Sequence, residues 1–149
     1  MFVDIGAGDE TDSNTLFFER AMAWRGLCTG ATPADAARLS ATRGVPCVTF
    51  DPSTPGALAE LLAGHGFAAV DYCAIESAAA SALMAGLDSA RFRLGVVTIR
   101  HAASDPQLPA LMAEKGLRAG WPTRRGRYLP ASRPAPPRPD FGDLRGVER

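Results

Sequence analysis

The residues of this chain that could bind a ligand or take up a proton lie where predicted strands end. The first of them are in the stretch 2–9, where a short apolar run contains Asp4 and is followed by Gly6 and Gly8. Apolar residues with helical spacing come next, so the stretch predicts a strand, a tight turn and a helix. Glycines in such a turn let the backbone approach a nucleotide-like ligand, and an acid in an apolar strand needs a partner. A plain strand-to-helix turn is the alternative.

Four further candidates follow later predicted strands, namely Gly30, Asp51, Glu76 and His101. Because the carboxyl ends of parallel strands share one edge of a sheet, we expect these residues to lie near the glycine turn. Glu76 and His101 are the candidate catalytic residues, since a carboxylate or an imidazole can accept a proton. The alternatives are a solvated turn residue at Glu76 and a loop residue at His101. The spacing of His, Cys, Asp and Glu indicates no metal site.

These positions depend on strands and helices that alternate along most of the chain. Strands are predicted near residues 2–5, 27–29, 45–50, 70–75 and 94–99. Helices are predicted at about 15–25, 33–43, 57–64, 77–87 and 109–115, with Ser13 or Asn14 as the cap of the first. A closing hairpin is predicted over 117–121 and 126–129. This pattern predicts an α/β Rossmann-like sheet that is mostly parallel, with helices on both faces and a C-terminal antiparallel hairpin.

Length and composition limit the class of protein. A chain of 149 residues, 46% hydrophobic and 21% charged, is ordinary for one soluble domain. We expect an α/β domain over residues 1–129 and a disordered tail over 130–149, where proline alternates with arginine and little can be buried. No apolar run reaches the roughly 20 residues of a membrane span, and no secretory signal precedes the first strand, so a cytoplasmic location is expected. Cys28, Cys47 and Cys73 lie in apolar runs and are predicted to be buried thiols.

Charge is distributed unevenly along the chain. Residues 1–88 contain 4 basic and 11 acidic side chains, whereas residues 89–149 contain 12 basic and 5 acidic ones. Two opposed fields of this size could pair within the fold, or the basic end could meet an acidic partner. Fifteen of the 16 basic residues are arginine, which together with the high alanine content could reflect genomic base composition. We therefore do not infer nucleic-acid binding.

Several motifs occur in an order that is typical of a known family. They are Val3-Asp-Ile-Gly-Ala7, Ser13-Asn-Thr15 with Phe18-Glu19, Trp24-Arg-Gly-Leu-Cys28, Pro33, Val70-Asp-Tyr72 with Ile75, Gly86-Leu-Asp88, His101 and Glu114-Lys-Gly116. With them the chain resembles the FkbM-type S-adenosylmethionine-dependent methyltransferases, a class I methyltransferase family that mostly methylates hydroxyl groups on sugars and natural products. The resemblance covers about residues 2–129. It implies strand order 3-2-1-4-5, with the hairpin beside strand five.

The resemblance also implies roles for the candidate residues. S-adenosylmethionine would be the cofactor, held by Asp4, Gly6 and Gly8 and by Gly30 and Asp51 at neighbouring strand ends. The methyl acceptor would be a small molecule or a sugar, on which one of the two candidate catalytic residues would act.

Some family positions carry other residues in this chain. Glu10 stands where the family has a small residue, Gly30 where an acid binds the ribose hydroxyls, and Arg100 where an acid precedes His101. Loss of one charge-assisted hydrogen bond costs about 1.5–3 kcal/mol, or roughly tenfold to a hundredfold in affinity. We therefore expect weak cofactor binding, weak or lost catalysis, and tighter binding in Gly30→Glu. The alternative is a non-catalytic methyltransferase-like module that binds a partner through its basic C-terminal half.

Overall fold

The computed structural model describes residues 1–8, 13–100, 105–120 and 126–130. Its elements are β1 (Phe2–Ile5), α1 (Asn14–Arg20), β2 (Gly26–Gly30), α2 (Pro33–Ser40), β3 (Cys47–Thr49), α3 (Ala57–Gly64), β4 (Ala69–Ile75), α4 (Ala80–Ala85), β5 (Arg93–Ile99), α5 (Leu108–Glu114), β6 (Leu117–Ala119) and β7 (Gly126–Pro130). Glu10, His101 and the predicted tail after Pro130 lie outside the described residues. Among the described helices, none is both long and apolar enough to cross a membrane.

The seven described strands form one sheet in the order β3-β2-β1-β4-β5-β7-β6. Strands β1 to β5 pair in parallel, and β7 pairs antiparallel with both β5 and β6. The predicted Rossmann-like α/β fold is therefore confirmed, including the order 3-2-1-4-5 and the hairpin beside strand five. Strand β1 lies between β2 and β4, at the point where the strand order reverses. In open α/β sheets ligands bind at this point, outside the carboxyl ends of the strands.

Helices cover both faces of the sheet, because the side chains of β1 point alternately to the two faces and all of them are buried. Phe2 and Asp4 point to one face, and Val3 and Ile5 point to the other. All four residues are buried. Apolar residues from α1 and α2 pack on the Phe2 face, and those from α3, α4 and α5 pack on the Val3 face. The central strand is thus covered on both sides, as expected for a parallel sheet.

Helix α1 is shorter than the predicted helix over 15–25. It ends at Arg20, and the chain then turns through Ala23, whose φ is 51°. Gly26, the residue after the predicted helix, begins β2. An added Cβ at Gly26 would overlap the ring of Phe2. The packing of this ring on the strand, and not the end of a helix, explains the glycine.

Two other elements begin later than predicted. Strand β3 begins at Cys47 and not at residue 45, because Pro46 has no amide hydrogen to donate to a neighbouring strand. Helix α4 begins at Ala80 and not at residue 77. Before it, the Ser77 hydroxyl accepts a hydrogen bond from the amide of Ala79 at 3.0 Å. Such a local side-chain bond favours a turn over a helix.

The three thiols are all reduced, and two of them are buried as predicted. Cys28 and Cys73 are buried, whereas Cys47 is only half-buried. Burial raises the pKa of the Cys73 thiol to about 12 and also raises the pKa of Cys28. The two buried thiols therefore behave as small apolar side chains of the sheet.

Candidate functional site

The turn that follows β1 is held by the end of β2. Gly6 has a φ of 75°, a left-handed conformation that favours glycine. Its amide donates to the Thr29 hydroxyl at 3.0 Å, and the Ala7 amide donates to the Thr29 carbonyl oxygen at 3.0 Å. The backbone of the turn therefore follows a defined path across the end of β2. At Gly8 an added Cβ would meet no described atom within 4 Å, so crowding does not explain that glycine.

The same turn contacts the end of β4. The Glu76 amide donates to the Ile5 carbonyl oxygen at 2.9 Å. An added Cβ at Gly6 would lie 3.3 Å from the Glu76 carbonyl oxygen. The structure thus brings Gly6 and Glu76 together at the point where the strand order reverses. A side chain at position 6 would be strained and would also crowd β4.

Asp4 lies in β1 beneath this turn and is 2% exposed. One oxygen of its carboxylate, Oδ2, accepts hydrogen bonds from the hydroxyls of Ser13 at 2.9 Å and Thr15 at 2.5 Å. Ser13 occupies the predicted N-cap position of α1, but its side chain makes no capping bond to the helix. Asp4 therefore has the partners that its burial requires, and it joins the start of α1 to the central strand.

A buried arginine, which no sequence pattern marks, stands behind the two hydroxyls. Arg43 is 6% exposed, and its guanidinium donates to the Thr15 hydroxyl at 2.8 Å and to the Ser13 hydroxyl at 3.3 Å. Its Nε pairs with the Glu19 carboxylate at 2.6 Å. The other oxygen of this carboxylate accepts from the Gly44 amide at 2.5 Å. In the sequence Arg43 is one of many arginines. Its role becomes visible only in the structure, where the loop after α2 brings it against α1.

The position that the resemblance assigns to a ribose-binding acid is filled by α2. An added Cβ at Gly30 would lie 2.6 Å from the Ala36 amide nitrogen and 2.6 Å from the Asp35 Cβ. The φ of Gly30 is not in the left-handed region, so crowding and not backbone strain requires glycine here. The expectation that Gly30→Glu would restore a cofactor contact is therefore wrong, because the new side chain would displace the first turn of α2.

Asp51 lies in an exposed turn after β3. Its carboxylate accepts hydrogen bonds from the Ser53 hydroxyl at 2.7 Å and from the Ser53 amide at 2.9 Å. These bonds, the hydroxyl first, hold the pKa of Asp51 below its ordinary value. Asp51 stabilises its own turn, and no hydrogen bond joins it to the described part of the β1 turn. In the described ranges, no group of three or more His, Cys, Asp or Glu residues could hold a metal ion.

Glu76 forms an ion pair with Arg100, the residue that follows β5. The Glu76 side chain is 16% exposed and that of Arg100 is 40% exposed, so the pair lies at the rim of the sheet. The Arg100 guanidinium therefore engages one oxygen of this carboxylate, Oε2. The other candidate catalytic residue, His101, falls outside the described part of the chain.

A cavity of about 320 Å³ opens at the same edge of the sheet, beside the residue that follows Glu76. Its polar lining includes Ser77, Asp105 and Gln107. The volume is at the lower end of the range for small-molecule sites. A larger cavity of about 520 Å³ lies at the opposite edge, near the start of β4 and β5. Of these two cavities, the smaller one lies close to a predicted site residue.

The chain was compared with known proteins on two levels. No model of a protein family matches it, and no curated protein matches it significantly.

Proposed function

We propose that this chain is an FkbM-like S-adenosylmethionine-dependent methyltransferase in which catalysis is weak or lost. The observation that carries the proposal is the turn at Gly6, a left-handed glycine at the carboxyl end of the central strand. Ligands of open α/β sheets bind where the strand order reverses, and small residues let them approach the backbone. The strand order itself is the one that the family resemblance implies. A small-molecule or sugar acceptor and a cytoplasmic location belong to the same proposal.

The conformation of the β1 turn supports the proposed cofactor site. A side chain at Gly6 would strain the turn and crowd the end of β4, because its Cβ would lie 3.3 Å from the Glu76 carbonyl oxygen. Asp4, Gly6 and Gly8 would hold the cofactor at this turn. S-adenosylmethionine, when bound, supplies an activated methyl group. Transfer to a hydroxyl depends mainly on positioning, with a nearby base to take up the proton.

Two contacts support weak or lost catalysis. The first turn of α2 occupies the space beside Gly30, so the chain has no room there for an acid that would bind the ribose hydroxyls. The ion pair with Arg100 engages Glu76, the candidate proton acceptor at this edge. One missing charge-assisted hydrogen bond weakens binding by roughly tenfold to a hundredfold. We therefore expect binding that is saturable but weaker than low micromolar.

Isothermal titration calorimetry with S-adenosylmethionine tests the proposal. Gly6→Ala adds a Cβ that crowds the Glu76 carbonyl oxygen and changes the turn, so it should weaken binding by about tenfold or more. Gly116→Ala is the matched control, because Gly116 has a φ of 74° and its added Cβ would meet nothing within 4 Å. Both variants carry the same kind of backbone strain, but only the first changes the turn. Formation of S-adenosylhomocysteine in the presence of hydroxyl-bearing acceptors measures any remaining catalysis.

The binding measurements distinguish the proposed function from its alternatives. Saturable binding that only Gly6→Ala weakens supports the proposal. Low-micromolar binding by the unmodified chain would contradict the predicted loss at Gly30. No binding by a folded chain would contradict the cofactor site and favour the non-catalytic module that binds through its basic C-terminal half. Equal weakening in both variants would show that affinity follows stability and not the turn at Gly6.

A further inference from the structure

We propose that Arg43 is the positioning residue of the β1 turn, an inference that rests on the function proposed above. Its guanidinium reaches Asp4 through the hydroxyls of Thr15 and Ser13. We call the set of Arg43, Thr15, Ser13 and Asp4 the hydroxyl bridge. It joins the loop after α2 to the central strand, next to the turn where the cofactor would bind.

The end groups of the hydroxyl bridge set the direction of its hydrogen bonds. A guanidinium can only donate, and an ionised carboxylate can only accept. Each hydroxyl can therefore accept from Arg43 and donate to Asp4, and the two hydroxyl oxygens also lie 2.8 Å from each other. For Thr15 the two distances are 2.8 and 2.5 Å, and for Ser13 they are 3.3 and 2.9 Å. A hydroxyl that rotates away from Asp4 loses its bond to the carboxylate, so the two hydroxyls together favour one position of Oδ2.

Burial makes the hydroxyl bridge costly to rearrange. Thr15 is 0% exposed, Asp4 is 2% exposed and Arg43 is 6% exposed. In such surroundings hydrogen bonds are stronger than at the surface, and a polar group without a partner is costly. The Glu19 carboxylate holds the guanidinium from its other side at 2.6 Å. The guanidinium is therefore held in place, and through the two hydroxyls it positions the Asp4 carboxylate.

A shift of Asp4 would also move the turn, because the backbone between them is short and hydrogen-bonded to the neighbouring strands. Asp4 stands two residues before Gly6. Between them, the Ile5 carbonyl oxygen accepts from the Glu76 amide at 2.9 Å. The Gly6 amide is bonded to Thr29 at 3.0 Å. The orientation of Asp4 and the path of the turn are therefore coupled, although Arg43 belongs to a distant part of the sequence.

Matched variants separate positioning from a general effect on stability. Thr15→Val removes the bridging hydroxyl and leaves the pair of Arg43 with Glu19 in place, whereas Thr15→Ser keeps the hydroxyl. Arg43→Gln removes the charge, and Arg38→Gln removes an exposed charge from α2 as its control. The Thr15 pair tests the proposal even if Arg43→Gln fails to fold.

Calorimetric titration with S-adenosylmethionine gives the first readout. We expect Thr15→Val and Arg43→Gln each to weaken binding by about tenfold, on the scale of one hydrogen bond to a charged group. The double variant should bind no more weakly than the weaker single variant, because both changes break the same bridge. Thr15→Ser and Arg38→Gln should stay within about twofold of the unmodified chain. Unchanged affinity in Thr15→Val, in a chain that binds, would overturn the proposal.

Amide hydrogen exchange gives a second readout that needs no ligand. The amides of Gly6 and Ala7 should exchange about tenfold faster in Thr15→Val and Arg43→Gln, while amides in β5 keep their rates. If the unmodified chain binds no cofactor but these two amides still exchange faster in the variants, the proposed function fails and the positioning role stands. If their exchange does not change, the positioning role is wrong whatever the cofactor result.

Discussion

Replacement of Gly30 tests the packing on which the proposed loss of a ribose contact depends. An added Cβ at this position would lie 2.6 Å from the Ala36 amide nitrogen, 2.6 Å from the Asp35 Cβ and 2.9 Å from the Asp35 carbonyl carbon. None of these atoms lies at the far end of a flexible side chain, so no rotation can move them away. Gly30→Ala must therefore push α2 from β2. Overpacking of this kind costs about 1–3 kcal/mol.

Thermal unfolding followed by circular dichroism measures this cost. For a domain of this size we expect Gly30→Ala to lower the Tm by roughly 3–9 °C. Gly64→Ala is the control, because Gly64 is the last residue of α3 and its added Cβ would meet nothing within 4 Å. Alanine is also the better helix former, by about 0.5–1 kcal/mol. The control should therefore melt at the same temperature as the unmodified chain or slightly above it.

Melting of Gly30→Ala at the same temperature as the Gly64→Ala control would contradict the packing of α2 against Gly30. In that case α2 would not pack against Gly30, and the end of β2 would have room for an acid. Gly30→Glu should then fold and bind S-adenosylmethionine more tightly than the unmodified chain. The structural explanation for weak cofactor binding would be lost with it.

Three further predictions concern charge and burial. Arg43→Met should lower the free energy of unfolding by about 3–5 kcal/mol in urea, because it removes the guanidinium that pairs with the Glu19 carboxylate, whose side chain is only 10% exposed, whereas Arg38→Met should change it by about 0.5 kcal/mol or less. A loss in Arg43→Met no larger than that of the control would contradict the buried pair. A hydrogen bond with the Thr32 hydroxyl lowers the pKa of Asp35 in the folded protein from its ordinary value of 3.8. The charge of Asp35 therefore stabilises the fold above pH 3.8, and this stabilisation is lost as the pH falls through the lowered pKa of the folded protein. Asp35→Asn should therefore be less stable than the unmodified chain at pH 7, with a difference that shrinks below pH 3.8; a difference independent of pH would contradict this. Burial raises the pKa of Cys73 to about 12, so a thiol reagent at pH 8 should label it only after unfolding, and rapid labelling of the native protein would be inconsistent with its burial.

The local structure of this protein follows from its sequence. Alternating runs of strand and helix residues placed β1, β2, β4 and β5 close to their observed bounds, because period-2 and helical spacing act over a few neighbouring residues. The turn at Gly6 and the helix start at Pro33 could be predicted for the same reason, since both depend on the preferred φ of one residue. The order of the strands came from the family resemblance and not from periodicity.

Which of these residues contact each other depends on the tertiary structure. Arg43 bonds to Thr15, 28 residues before it, and Glu76 pairs with Arg100 at the end of the neighbouring strand. By its position at a strand end, Gly30 is predicted to leave room for an acid, but in the structure α2 fills this space. Contacts of this kind depend on how helices cross the sheet and on which strands become neighbours. No spacing within a single segment carries that information, because the partners come from different segments of the chain.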